Sequence, residues 1–147
     1  MSASHATLYP APPGVPSSSR YTVTVDGRPS FTYMTTAPAE AEFTAGHTVS
    51  WTSFDLRGNV EVRAGSLGSP VTRAIVRPVS SGIAADVREG EVVFRLDQPA
   101  KLSIECEDDL TDVLFLFANE PESDVPSPDD PRAVWFGPGV HEIGKFY

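Results

Sequence analysis

The chain is predicted to be all-β. It reads as an immunoglobulin-like or jelly-roll-like β-sandwich of about ten short strands, preceded by an extended proline-rich N-terminal arm. Three observations carry this. Apolar residues recur at every second position in run after run, as in Tyr21, Val23 and Val25 or Val60 and Val62, which is the period of a half-buried strand. Turn residues punctuate those runs at short intervals, as in Asp26-Gly27 and Glu89-Gly90. No stretch sustains helical periodicity; Ala37–Ala45 has the composition for a helical turn, but Pro38 lies inside it.

The elements follow in order. Residues 1–20 form the arm: Pro10, Pro12, Pro13 and Pro16 alternate with small residues and lead into Ser17-Ser18-Ser19. That composition favours extended chain, either as a disordered leader or packed across the domain that follows. The sandwich spans 21–118. Its first strand runs from Tyr21 to the Asp26-Gly27 hairpin turn, and Phe31–Met34 returns, with Pro29 near its start where a missing N–H does least harm. His47–Phe54 comes next, with Trp51 sharing the parity of Val49 and so expected in the core. Arg57-Gly58-Asn59 turns into Val60–Arg63, and a small-residue loop, Gly65–Pro70, leads to Val71–Val76. Ile83, Ala85 and Val87 alternate, Glu89-Gly90 turns into Glu91–Leu96, and Asp97–Ala100 turns into Lys101–Cys106. Leu110–Phe117 is the most apolar strand, and its lack of alternation predicts burial on both faces. Residues 119–132, acidic and proline-rich, read as a surface loop or linker. Residues 133–147 resume an aromatic, alternating character. They are expected to form a final strand that hands over to a further domain beyond Tyr147.

Charge and cysteine content narrow the function. Twenty acidic residues against 11 basic ones give a net charge of −9, which argues against nucleic acid and anionic membranes and against polyanions such as pectate. A neutral polysaccharide or a protein surface fits better. No stretch approaches the roughly 20 apolar residues that cross a bilayer. Cys106 is the single cysteine, so no internal disulfide can form. The N-terminus carries no basic region followed by an apolar run, so no secretory signal is visible.

No catalytic constellation emerges. His5, His47 and His141 lie in the arm, before a strand and after a turn, with no nucleophile elbow to serve. No metal site is expected: paired cysteines and helically spaced histidines are absent, and the acids of Glu105–Asp112 lack a calcium-loop pattern. No cofactor is implied, since Gly65–Ser69 has the wrong spacing for a phosphate loop. Sugar binding by sandwiches uses exposed aromatic faces, for which Tyr33, Trp51 and Trp135 are the candidates. Trp135, Phe136, Gly137, Pro138, Gly139 and His141, after the linker, are the candidate interdomain contact.

Five motifs in order carry a family resemblance: Trp51–Val62, Val76-Arg77-Pro78 with Ser80–Ile83, Pro99–Glu105, Leu116–Glu122 and Trp135–Gly144. Together they resemble the N-terminal β-sandwich of glycoside hydrolase family 49, the dextranases and isopullulanases, and of related polygalacturonase-like enzymes. The resemblance spans about residues 21–144. It implies an extracellular protein in which a right-handed parallel β-helix follows and holds the catalytic aspartates, so no position here inherits them. This chain would then be a non-catalytic accessory domain packing on that β-helix, or alternatively a module that binds a neutral glucan.

Overall fold

The computed structural model describes residues 5–37 and 46–144. The helical turn considered for Ala37–Ala45 falls on 38–45, outside the described residues apart from Ala37, which ends a strand. Two sheets face each other. One has the order β3 (Arg28–Ser30), β2 (Tyr21–Val25), β6 (Val60–Ser66), β9 (Glu91–Leu96) and β8 (Asp86–Arg88). The other has six strands. In it β5 (His47–Leu56), β11 (Asp112–Asn119), β10 (Ala100–Cys106) and β7 (Ala74–Arg77) lie side by side, while β1 (Ala6–Leu8) and β4 (Thr32–Ala37) both pair with β5. The sandwich class read from alternation and turns is the one formed.

Local chemistry explains the turns. Asp26 and Gly27 both have positive φ, at 48° and 74°, and join Val25 to Arg28 as a two-residue hairpin. Glu89 and Gly90, at 53° and 79°, do the same between Arg88 and Glu91. These are the mirror-image turns whose twist matches that of paired strands. At Gly90 a Cβ would also stand 2.8 Å from Pro70 Cβ, so glycine is needed twice over there.

Between the sheets lies one apolar core. The five-stranded sheet supplies Val23, Val25, Val60, Val62, Val92 and Leu96; the six-stranded sheet supplies Phe54, Leu102, Ile104, Leu114 and Leu116. Phe54 is flanked in register by Leu8 on one side and Ala118 on the other, so a small neighbour makes room for its ring.

One open alternative is decided and three sequence expectations are corrected. The arm is anchored rather than free: Ala6–Leu8 pairs with Phe54–Leu56, Arg57 N–H donates to the His5 carbonyl at 2.7 Å, and Arg28 donates to the Ala6 carbonyl at 2.8 Å. The returning strand is split, with Arg28–Ser30 in one sheet and Thr32–Ala37 in the other. Trp51 lies on the outer face of β5, half-buried, while Ser50 and Thr52 point inward. This inversion works because the buried hydroxyls are paired: Ser50 with Ser18 at 2.8 Å, and Thr52 with Ser30 at 2.7 Å. β11 is fully buried on one face only; Phe115 and Phe117, on the other, are half-buried.

After Asn119, residues 120–144 form neither strand nor helix. The strand expected over 133–147 therefore does not form in 133–144, where Pro138 and two flanking glycines interrupt the chain; 145–147 lie outside the described residues. Among the described residues no helix is long and apolar enough to cross a membrane.

Candidate binding surface

The two outer faces differ in chemistry. On the five-stranded sheet, charged side chains of both signs pair, Arg63 with Glu61 at 2.9 Å and Arg88 with Asp86 at 2.7 Å, and Arg95 donates to the neutral Asn59 side chain at 2.7 Å. That is a solvated face. The six-stranded sheet instead presents an aromatic row across its strands. Tyr33 on β4 is opposite Trp51 on β5, Trp51 is opposite Phe115 on β11, and Phe115 is opposite Ser103 on β10. Phe117 sits two residues further along β11, between Ser53 and Lys101.

Ring geometry decides what this row can do. Tyr33 and Trp51 stack with centroids 5.2 Å apart and planes 8° from parallel, and Phe31 meets Tyr33 edge-on at 4.8 Å. Phe115 and Phe117 stack at 6.4 Å. The rings of each pair turn faces towards one another. A pyranose stacks on an open aromatic face, and the pairing of Tyr33 with Trp51 engages one face of each ring. Beside the row, Phe115, Phe117, Pro78 and Val79 line an apolar cleft of about 680 Å³ together with Arg77 and Lys101.

Trp135 does not join this row; it is 51% exposed, and no ring contact links it to Tyr33 or Trp51 among the described residues. Its neighbours Val134, Phe136, Val140 and Ile143 are exposed as well. Within the segment, Phe136 meets His141 edge-on at 5.5 Å, and His141 Nε2 lies 2.6 Å from the Gly137 carbonyl. Gly139 has φ 130°. The candidate interdomain residues 135–141 thus form a locally ordered, apolar and uncovered stretch.

The chain is similar in fold to Dex49A from Penicillium minioluteum. The likeness has a TM-score of 0.58 at 20% identity, and it covers 90% of this chain and 33% of that one. Identity this low carries the fold and no individual side chain. The part of Dex49A that corresponds is a third of its length, so the chain spans a minor portion of that neighbour. No protein-family model and no curated protein matches the chain.

A second concavity, of about 770 Å³, lies at one end of the six-stranded sheet, where the arm, β5 and β11 meet. The Tyr9 phenol donates to Asp55 Oδ2 at 2.5 Å. That bond, with lesser contributions from burial and the carboxylate charge, pushes the phenol up to about 12. Asn119 Nδ2 donates to Ser53 Oγ at 2.9 Å beside it. Sequence reading missed this corner because Tyr9 and Asp55 are 46 residues apart and meet only through the docking of β1. Among the described residues no group of three or more His, Cys, Asp or Glu is placed to hold a metal ion.

Proposed function

We propose that this chain is a non-catalytic accessory domain of a polysaccharide-degrading glycoside hydrolase, secreted with it, and that it packs on and stabilises a β-helix catalytic domain. The observation that carries the reading is the fold likeness that takes in nearly all of this chain and only a third of Dex49A. Two features support it. The outer face of the six-stranded sheet carries a half-buried aromatic row beside the Arg77–Glu105 ion pair, and the uncovered Val134–Phe136 stretch follows a proline-rich segment. Such a surface is suited to an interdomain contact.

The test is to compare the complete enzyme with and without residues 1–147. Deletion is expected to lower its Tm by at least about 3 °C and to leave kcat/KM of the folded fraction largely intact. Substituting Phe115 and Phe117 together by Ser should reproduce most of the loss. An unchanged melting temperature after deletion would remove the stabilising role.

A further inference from the structure

We propose that the corner bounded by Tyr9, Asp55, Arg57 and Asn119 binds a neutral hexopyranose unit through its vicinal hydroxyls. The register places Thr7, Asp55 and Asn119 directly opposite one another across β1, β5 and β11, all on the outer face. Adjacent strands lie about 4.8 Å apart, so the Asp55 carboxylate and the Asn119 amide stand at a spacing that brackets two neighbouring hydroxyls. Each keeps hydrogen-bonding capacity. Asp55 uses Oδ2 for Tyr9, which leaves Oδ1 to accept. Asn119 uses one N–H for Ser53, which leaves its carbonyl and second N–H. Arg57 lines the same concavity and supplies donors.

Tyr9 completes the arrangement. Its hydroxyl is tied down by Asp55 while the residue stays 52% exposed, so an aromatic ring is held in place at the rim. This combination is absent from the Tyr33–Trp51 pair, where the rings face each other. The volume of about 770 Å³ suits a ligand of one or two rings. Charge selects the class. Asp55, Glu120 and Glu122 outnumber Arg57 around the cavity, so a uronate or a phosphate is repelled and a neutral sugar is not. The corner lies at the end of the same outer face as the aromatic row, two residues beyond Phe117 on β11, and sugar binding and packing are read by different assays.

The experiment is a titration of the 147-residue chain with isomaltotetraose, maltotetraose, cellotetraose and trigalacturonate, followed by amide NMR shifts to about 10 mM ligand. At least one neutral oligosaccharide should bind with a millimolar or tighter Kd and shift the amides of Tyr9, Asp55 and Asn119. Tyr9→Ala and Arg57→Ala should each weaken it at least about tenfold, with thermal midpoints confirming that both variants are folded. Arg88→Ala, on the opposite sheet, should bind as the parent does. The proposal is overturned by any of four results: no shifts with the neutral sugars, shifts centred on Tyr33 and Trp51, equal binding of trigalacturonate, or undiminished binding by both variants.

Discussion

Truncating two phenylalanines of the same sheet, one on each face, tests the assignment of inside and outside. Phe54 is fully buried, wedged between Leu8 and Ala118 in register and packed against the opposite sheet. Phe54→Ala leaves a cavity that those neighbours cannot close, at a cost of about 3–5 kcal/mol. Phe117 is half-buried on the outer face and, among the described residues, its ring stacks only on Phe115. Removing its ring forfeits part of one phenyl's burial, about 1–2 kcal/mol. With a urea slope of about 2 kcal/mol/M, the unfolding midpoint should fall by about 1.5–2.5 M for Phe54→Ala and about 0.5–1 M for Phe117→Ala. Equal shifts, or a larger one for Phe117→Ala, would refute the reasoning, because they require the outer face to be covered in the isolated chain.

Two further outcomes follow from the polar contacts. Arg20 donates to Asp112 Oδ2 at 2.8 Å through Nε; the Asp112 side chain is only 12% exposed, and its Oδ1 has no partner among the described residues. Arg20→Ala should therefore cost about 1–3 kcal/mol, below the figure for a fully buried pair because Arg20 itself is half open to solvent. Adding Asp112→Asn should recover part of that loss in urea unfolding, and a cost-free single variant would contradict the account. Glu107 accepts from Thr72 N–H at 2.5 Å, Thr72 Oγ1 at 2.7 Å and Arg73 N–H at 3.1 Å, which holds its carboxyl below the ordinary 4.5. A depressed carboxylate contributes stability that is complete above the unfolded value and lost as pH falls through the folded one. Glu107→Gln should thus flatten the fall of Tm below about pH 4.5, whereas a profile parallel to the parent's would count against it.

Strand content was legible because backbone alternation and turn chemistry are local. Asp26-Gly27 and Glu89-Gly90 each announce a hairpin in two residues, and each forms one. Facing was less legible, because it depends on partners distant in sequence. Parity alone assigns Val49 and Trp51 to the core, and only the meeting of Ser18 and Ser30 with β5 makes Ser50 and Thr52 acceptable there. The run Leu114–Phe117 raises the same difficulty, since an apolar stretch reads identically whether its second face meets core or an aromatic surface row. Of the proposed aromatic sites, Tyr33 and Trp51 come together, each turning one ring face to the other. The Tyr9 corner has no local signature at all, because its groups come from β5, β11 and the chain preceding β2.

The inversion of β5 bears on function. A shift of one residue would place Trp51 and Val49 inside, but it would also bring in Ser53 and Asp55 and turn Phe54 and Leu56, now 0% and 2% exposed, out to water. Burying a large aromatic fully contributes about 1.5–3 kcal/mol, while each buried hydroxyl pair returns only about 1 kcal/mol net. The observed order keeps Phe54 and Leu56 in the core and leaves the Trp51 ring half-buried on the outer face. A second layer over that face, as proposed above, would complete the burial of Trp51, Phe115 and Phe117. Covering also leaves the charged five-stranded sheet in solvent, where its paired arginines and carboxylates already suffice. The aromatic row on one outer face and the charge-paired residues on the other, more than any single residue, support the accessory role proposed above.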